Sequence, residues 1–355
     1  MSFQHFHPAF EQITGPNPEI KCDLENNVYP FAHEAGVYIA SKDQLFITSN
    51  RIHSDDGSQR VQISKIQLND NTACVQEEIH PDIPMANGGV NYQDGVLFCS
   101  QGTLDRPASL IHMETEAPYK CATIIDSFYG RQFNSINDVV IHSDGSIWFT
   151  DPIYGFKQGY RPTPELPVQV YRYDPISKSV RMVADGFGRP NGISFSPDEN
   201  VVYVTDTDAV QGDGTVDWSR PATMLVPPHT SLYTVFLFCL SHLGIAMELM
   251  CVDSYAFDVV YHHGQPFLTN RRVFAMADNG IPDGIKCDLE GNVYSGCGDG
   301  IHVWSPGGVL LGKILIPGGV ANFCFEKPGK MLALNETRLW RISFAPSCRG
   351  ALLRL

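Results

Sequence analysis

Six short polar signatures recur along this chain, and each one opens an apolar run with the alternation of a β-strand. They are Glu34 in HEAGVYI, Asn87 in NGGVNY, Asn137 in NDVVI, Asn191 in NGISF, Asp283 in DGIKC and Asn322 in NFCF. The first four lie 53, 50 and 54 residues apart, and a repeat of about this length with four short strands is typical of a β-propeller blade. The sequence therefore predicts an all-β fold, a six-bladed β-propeller with four-stranded blades, whose six opening residues converge on the central axis.

The last blade of this propeller is one strand short. Its three strands read NFCFE, KMLALNE and RLWRISF, after which the alternation fades. An open ring would leave an unpaired strand edge, which folded proteins avoid. We therefore predict that N-terminal residues, between about 10 and 30, add the missing outer strand and close the ring, so that residues 1–355 form a single domain.

One stretch departs from the repeat. From Asn191 to Asp283 the chain runs 92 residues, and the surplus coincides with residues 224–254, which lack turn signals and alternation. The apolar run at 232–251 has about the length of a membrane span, but a span inside a blade would force the ring onto a bilayer. We therefore expect no membrane association. We interpret 224–254 as an atypical insertion within blade four, either a packed helix or hairpin or a retained intron read through in frame.

The composition narrows the class of protein. The chain has 25 basic and 39 acidic residues and a net charge of −14, which disfavours nucleic acid as a partner because phosphate binding needs clustered Lys and Arg. Its ten cysteines include no CxxC pair and do not form the dense pattern of a disulfide scaffold. The N-terminal residues have no basic and apolar regions of a secretory signal. These features indicate a cytoplasmic protein.

Four of the opening residues predict a metal site. Glu34, Asn137, Asn191 and Asp283 are oxygen donors, and two carboxylates with two amide oxygens suit Ca²⁺, with water completing the shell. No Cys or His accompanies them at ligand spacing, which disfavours Zn²⁺ and copper, although Zn²⁺, Mg²⁺ or Mn²⁺ stays possible. The alternative is local: Asn or Asp before Gly also sets a turn at a strand edge.

Longer motifs at these positions carry a family resemblance. They are HEAGVY, NSIND at 134–138, FTDPIYG, GRPNGISFSPD, VYVTDT, IPDGI at 281–285 and GDGIHVWSPGG. In order and spacing they resemble the gluconolactonase/senescence-marker-protein/luciferin-regenerating family, and the fungal lactonohydrolase branch most of all, over about residues 30–218 and 255–344. The sequence departs from that family at Ile136, where Pro is common, at 224–254, and at 325–330, where FEKPGK replaces a Gly-rich turn.

The resemblance implies a function and a ligand set. Members of that family are six-bladed propellers that hydrolyse lactones with a central divalent metal, usually Ca²⁺, and their four metal ligands match Glu34, Asn137, Asn191 and Asp283. We expect the metal to polarise the carbonyl of a small lactone and Asp283 to orient or deprotonate the attacking water. The oligomeric state does not follow from the sequence.

Further residues are predicted to contact the substrate. The second strand of each blade runs back towards the ligand face, so its last residue should border the pocket. This rule, the remaining inner positions and the loops of blade three give Asn87, Gln101, Arg131, Asn134, Asp151, Tyr154, Asp206 and Asn322. His33 is interpreted as structural, because neighbours on a strand point to opposite faces.

Other functions stay open at this point. One alternative is an ester or organophosphate hydrolase like the paraoxonases, and another is a non-catalytic propeller that binds a partner around a structural ion. A propeller resembling strictosidine synthase is less favoured, because it needs no such metal ligands. No GxSxG motif supports a serine hydrolase.

Overall fold

The computed structural model describes residues 1–69, 73–208 and 253–352 of the chain. In these ranges the strands form six antiparallel sheets of four or more strands, together with two short hairpins. Three elements precede the first complete sheet: β1 (Ser2–His5), α1 (Ala9–Thr14) and β2 (Glu19–Glu25). No helix among the described residues is both long and apolar enough to cross a membrane.

The first three blades follow one another along the chain, each with its innermost strand first. Blade one is β3 (Glu34–Ile39), β4 (Gln44–Thr48), β7 (Ile63–Gln67) and β8 (Val75–Ile79), with the hairpin β5 (Ile52–His53) and β6 (Gln59–Arg60) between β4 and β7. Blade two is β9 (Ala86–Tyr92), β10 (Gly95–Ser100), β11 (Ser109–Glu114) and β12 (Cys121–Ile125), followed by the hairpin β13 (Ser127–Phe128) and β14 (Arg131–Gln132). Blade three is β15 (Val139–Ile141), β16 (Ile147–Asp151), β17 (Gln169–Asp174) and β18 (Ser179–Ala184), with α2 (Tyr154–Lys157) after β16.

The last three blades keep the same order. Blade four is β19 (Pro190–Phe195), β20 (Val201–Asp206), β21 (Asp253–His262) and β22 (Gln265–Met276). Blade five is β23 (Ile285–Cys287), β24 (Val293–Cys297), β25 (Gly300–Trp304) and β26 (Leu310–Leu315), and blade six is β27 (Asn322–Phe325), β28 (Lys330–Asn335) and β29 (Arg338–Ser343).

N-terminal strands complete the last two blades. β2 pairs antiparallel with β29 as the fourth strand of blade six, with Cys22 opposite Trp340, which confirms the predicted closure. β1 pairs with β26 as a fifth strand of blade five, with Phe3 opposite Ile314. The sequence pattern did not predict this second pairing. The six-bladed fold is otherwise as predicted.

Apolar side chains fill the spaces between neighbouring blades. On β16, Trp148 packs against Phe195 of blade four, while the next residue, Phe149, packs against Phe133 on the opposite face. Both side chains are fully buried, because successive strand residues alternate between two faces and each face meets another blade. Burial of one such side chain stabilises the fold by about 1.5–3 kcal/mol.

The predicted insertion at 224–254 lies almost entirely outside the described residues. Only its last two residues, Asp253 and Ser254, are described, and they begin β21 opposite Met276 and Ala275. The interpretation of this segment as an insertion therefore stays a prediction.

Candidate active site

A cavity of about 230 Å³ contains most of the opening residues. Seven of the residues predicted to bind metal or substrate line it: Glu34, Asn87, Gln101, Asn137, Tyr154, Asn191 and Asp283. They come from five of the six blades, and each lies at or just before the start of its innermost strand or at the end of the second strand, apart from Tyr154 in α2. The radial convergence expected from the repeat is therefore present.

In three cases a threonine hydroxyl on the second strand of one blade holds the backbone of the opening residue of the next blade. Thr48 Oγ1 donates to the carbonyl of Asn87 at 3.1 Å, Thr150 Oγ1 to that of Asn191 at 2.7 Å, and Thr205 Oγ1 to that of Asp283 at 2.7 Å.

The carbonyl of Asn137 is held differently. It accepts from the backbone N–H of Gly88 at 2.9 Å and from Asn87 Nδ2 at 3.1 Å. Hydrogen bonds between blades therefore set the height at which each opening residue meets the cavity.

Two carboxylates with unusual electrostatics face this cavity. Burial and the charge of Asp283 raise the pKa of Glu34, and burial raises the pKa of Asp283, opposed by the charge of His33. Glu34 is 2% exposed, and its Oε2 accepts from Asn322 Nδ2 at 2.7 Å. Asp283 is partly buried, and two such neighbouring carboxylates with raised pKa values would be stabilised by a cation between them.

Two buried oxygens without hydrogen-bond donors also favour a cation site in this cavity. Among the described residues, the buried atoms Asn137 Oδ1 and Asp283 Oδ1 accept no hydrogen bond. Buried polar oxygens are normally satisfied, so two such oxygens from two blades in one cavity are suited to coordinate a cation. Because all the donors are carboxylate or amide oxygens, the set fits a hard divalent cation such as Ca²⁺.

The other two opening residues, Asn87 and Asn322, are hydrogen-bonded to protein groups. The side chain of Asn87 is held by its neighbour Gln101. Gln101 Oε1 accepts from Tyr160 Oη at 2.7 Å and from Ser135 Oγ at 3.1 Å, so its Nε2 donates to Asn87 Oδ1 at 3.3 Å. Asn87 in turn donates to the backbone at Asn137.

Asn322 is engaged in a similar way. Its Oδ1 accepts from the N–H of Phe323 at 2.8 Å while its Nδ2 holds Glu34. Asn87 and Asn322 thus orient their neighbours, whereas Asn137 and Asp283 each keep a buried oxygen without a donor in the part of the chain that the structure describes.

Five residues predicted to contact substrate do not line this cavity. Arg131 is exposed on the hairpin β13–β14. Asn134 is buried, and its Nδ2 donates to the carbonyls of Asp151 and Pro167 at 3.4 Å each. Asp151 and Asp206 are fully buried with their carboxylates bonded to backbone N–H groups. Asn322 also does not line the cavity, but it reaches it through Glu34.

Tyr154, in contrast, lines the cavity with its hydroxyl hydrogen-bonded to Thr207. Burial, followed by the nearby charge of Asp283, raises its pKa, so this phenol stays neutral as a hydrogen-bonding group.

The sequence pattern missed a His–Glu pair at the cavity. His33 lines the cavity and its Nδ1 lies 2.7 Å from Glu336 Oε1, while Glu336 Oε2 accepts from Asn50 Nδ2 at 3.2 Å. Burial alone would lower the pKa of His33, but Glu336, Glu34 and Asp283 raise it to about 10. His33 precedes β3, where strand alternation does not apply, and Glu336 sits in the β28–β29 turn, outside the repeated positions.

A second cluster of possible metal ligands lies at blade five. Ligand atoms of Asp278, Asp299 and His302 all lie within 4.8 Å of one another. However, Lys313 Nζ donates to Asp278 and, at 3.2 Å, to Asp299, and Asp299 Oδ1 lies 2.6 Å from His302 Nε2. The ammonium group of Lys313 already supplies the positive charge that these carboxylates require.

Comparison with known proteins gives a family match over most of the chain. The family described as "SMP-30/Gluconolactonase/LRE-like region" matches residues 50–211 and 249–333. Both matched stretches contain opening residues, and the gap between them contains most of the predicted insertion.

Curated proteins that match the sequence include a lactonohydrolase and a gluconolactonase. Lactonohydrolase oryL of Aspergillus oryzae is 28% identical over 343 residues, which are 94% of this chain and 70% of the relative. The gluconolactonase of Zymomonas mobilis is 24% identical over 223 residues, which are 61% of this chain and 52% of the relative.

Solved structures share the fold. A gluconolactonase from Xanthomonas campestris superposes with a TM-score of 0.68 at 23% identity, covering 97% of this chain and 95% of that one. The calcium-binding protein regucalcin from Agrobacterium tumefaciens superposes with a TM-score of 0.60 at 13% identity, covering 93% and 95% of the two chains. At these identities the likeness supports the six-bladed fold alone.

Proposed function

The chain belongs to the SMP-30/gluconolactonase/LRE-like family, and from this premise we propose that it is a metal-dependent lactonase that hydrolyses a small lactone to its hydroxy acid. The observation that carries the proposal is the pair of carboxylates in one cavity, the buried Glu34 and the partly buried Asp283, together with the unsatisfied oxygens Asn137 Oδ1 and Asp283 Oδ1. The names of the curated relatives, a lactonohydrolase and a gluconolactonase, support the same reaction class.

Four residues would hold the metal: Glu34, Asn137, Asn191 and Asp283. Ca²⁺ is the proposed ion because every donor is a carboxylate or amide oxygen; Mg²⁺, Mn²⁺ and Zn²⁺ are the alternatives. When bound, the ion supplies a Lewis acid for a carbonyl oxygen and compensates the two carboxylates. Asn322 keeps one oxygen of Glu34 engaged at 2.7 Å, so Glu34 presents its other oxygen to the cavity.

The reaction needs a group that manages the proton of the attacking water. We assign this role to Asp283, whose Oδ1 has no protein partner among the described residues. Asp283 accepts the proton as the water oxygen bonds to the lactone carbonyl carbon. The bond between that carbon and the ring oxygen then breaks, and the ring oxygen takes the proton back from Asp283 to become the hydroxyl of the product, which restores the Asp283 carboxylate.

The cavity wall limits the substrate. A volume of about 230 Å³ fits a small lactone. Asn87, Gln101 and Tyr154 line this wall and are the proposed substrate contacts. The corresponding roles of Arg131, Asn134, Asp151, Asp206 and Asn322 stay predictions.

The test is pH-stat hydrolysis of a panel containing small sugar, aliphatic and aromatic lactones, an open-chain ester and an organophosphate. We expect acid release from at least one lactone, loss of the activity in EDTA and recovery on adding Ca²⁺. Turnover of only the ester or organophosphate would favour a paraoxonase-like hydrolase instead. No turnover at all, with Ca²⁺ still raising the Tm, would identify a binding module with a structural ion.

A further inference from the structure

Blades three and four share a local arrangement that the proposed reaction does not yet explain. The second strands of both blades end in Thr followed by Asp: Thr150 and Asp151 close β16, and Thr205 and Asp206 close β20. All four side chains are fully buried. Innermost strands of the same two blades carry the amide residues Asn137 and Asn191, the two neutral members of the proposed ligand set.

The aspartates hold the turn that leads into each of these asparagines. Asp151 accepts from the backbone N–H groups of Asn134 and Ser135, at 2.9 and 2.8 Å. Asp206 accepts from those of Gly188 and Arg189, at 2.9 and 2.7 Å. In both blades the bonded N–H groups belong to the residues three and two positions before the asparagine. Hydrogen bonds to an ionised acceptor are the stronger kind.

The threonines hold the chain on the other side of each asparagine. Thr150 Oγ1 accepts from the N–H of Asp138 at 3.1 Å, and Thr205 Oγ1 accepts from the N–H of Gly192 at 2.8 Å. In both blades this N–H belongs to the residue directly after the asparagine. Each asparagine is thus fixed from both sides by two consecutive side chains of the neighbouring strand, an arrangement we call the Thr–Asp clamp.

We propose that the two Thr–Asp clamps are positioning elements that aim the amide oxygens of Asn137 and Asn191 at the divalent cation. This inference rests on the proposed function. The orphaned, buried Oδ1 of Asn137 supports it, because the clamp holds that oxygen in the cavity without a protein donor.

The distribution of the clamps among the blades has an electrostatic reason. In blade one the charged residue Glu34 is opposite Thr48, and the next residue is Ser49; in blade five, which carries Asp283, the second strand ends at Cys297. A buried carboxylate directly behind a carboxylate ligand would add like-charge repulsion. Behind a neutral amide it adds none, so a carboxylate clamp is compatible with Asn137 and Asn191 and disfavoured behind Glu34 and Asp283.

The experiment measures Ca²⁺ affinity by isothermal titration in the full-length protein, first for the wild type and then for Asp151→Asn and Asp206→Asn. We expect each substitution to weaken Ca²⁺ binding by about 10–100-fold, the usual effect of losing a group that orients a metal ligand. Thr205→Val, which keeps the branched shape, is the milder second variant and should weaken binding in the same direction, whether or not the aspartate variants fold.

The matched control is Asp174→Asn. Asp174 also accepts from two turn N–H groups in blade three, those of Ile176 and Ser177 at 2.9 and 3.3 Å, but in an exposed turn that does not lead into the cavity. Its Ca²⁺ affinity should stay within about twofold of the wild type, the neutral baseline against which the expected 10–100-fold effect is read.

The outcomes separate the two proposals. Wild-type affinity in Asp206→Asn and Thr205→Val, with folding verified by circular dichroism, would overturn the positioning role alone. A wild-type protein that binds no divalent cation would overturn the metal proposal and the positioning role together.

Discussion

Two places in the molecule bring carboxylates together: the cavity that contains Glu34 and Asp283, here called the axial cavity, and the cluster of Asp278, Asp299 and His302, here called the blade-five cluster. They balance the negative charge in different ways. At blade five, the ammonium group of Lys313 bonds to Asp278 and Asp299. There the pKa of Asp278 is lowered: burial acts to raise it, but the hydrogen bond and charge of Lys313 outweigh that effect. In the axial cavity the pKa values of Glu34 and Asp283 are both raised.

This contrast shows how to distinguish a structural acidic cluster from a metal site. Asp278, Asp299 and His302 lie as close together as the ligands of many metal centres, so closeness alone does not identify a metal site. The useful difference is whether the protein supplies the compensating cation. At blade five Lys313 supplies it. In the cavity of Glu34 and Asp283, His33 pairs with Glu336, and buried oxygens of Asn137 and Asp283 accept no hydrogen bond among the described residues, which is the pattern expected of the proposed cation site.

The largest effect is expected from removing charge in the axial cavity. Glu34→Gln and Asp283→Asn should each reduce lactone hydrolysis by at least about 10²-fold, because each replaces a charged carboxylate of the proposed ligand set by a neutral amide and the second also removes the proton acceptor. Both variants should keep the far-UV circular dichroism of the wild type. The matched control is Asp278→Asn in the blade-five cluster, which should retain activity; near-normal turnover in Glu34→Gln or Asp283→Asn would remove the assigned roles.

A smaller effect, on stability rather than on activity, is expected from Lys313→Met. The substitution leaves Asp299 and His302 without the ammonium group that pairs with the cluster. Loss of one partner of a buried ion pair is destabilising, but Asp278 is 59% exposed on its side chain, so we expect a loss of about 1–3 kcal/mol. Urea unfolding measures it.

A divalent cation should partly replace the missing ammonium group in Lys313→Met. With the ammonium group gone, added Ca²⁺ or Mg²⁺ should recover part of the lost stability, because the vacated carboxylates then need a cation. An unchanged free energy of unfolding in Lys313→Met would show that Lys313 does not compensate this cluster.

The smallest expected effect is a pH dependence of the metal-free protein. Carboxylates whose pKa values are raised on folding stabilise the fold when protonated, and this contribution is lost as the pH rises from their ordinary range near 4 through the raised values. In EDTA, the Tm should therefore fall between pH 5.5 and 8, by about 2–4 °C for each kcal/mol lost. Glu34→Gln should reduce this slope, and Ca²⁺ should flatten it; an equal slope in all three samples would contradict the coupling of Glu34 and Asp283.

The fold followed from the sequence because the repeat is strong. Six opening residues and alternating strands define the blades, and the missing strand of blade six predicts a partner from the N-terminal residues. The pairing of β1 with blade five was not predictable, since four residues, SFQH, have no periodicity to read. The convergence of Glu34, Asn137, Asn191 and Asp283 on one cavity was predictable because these positions repeat; their role as metal ligands stays a prediction.

The remaining site residues depend on side-chain direction, which a strand pattern does not specify. Asp151 and Asp206 lie at the strand ends, as the rule for rim residues expects, but backbone N–H groups of adjacent turns capture their carboxylates. His33 and Glu336 meet only after blade six closes against blade one. Such pairings between distant segments leave no signal in the spacing of either one.

The pairing of β2 with β29 has a consequence for biosynthesis. Glu19 lies opposite Ser343, so during synthesis the backbone groups of β2 must wait for a strand that is made more than three hundred residues later. Contacts between segments so distant in sequence slow folding because a long loop must close first. During synthesis β2 is an exposed edge that can pair with another nascent chain, and intermolecular exchange of this strand is the error to expect when the protein is produced at high concentration.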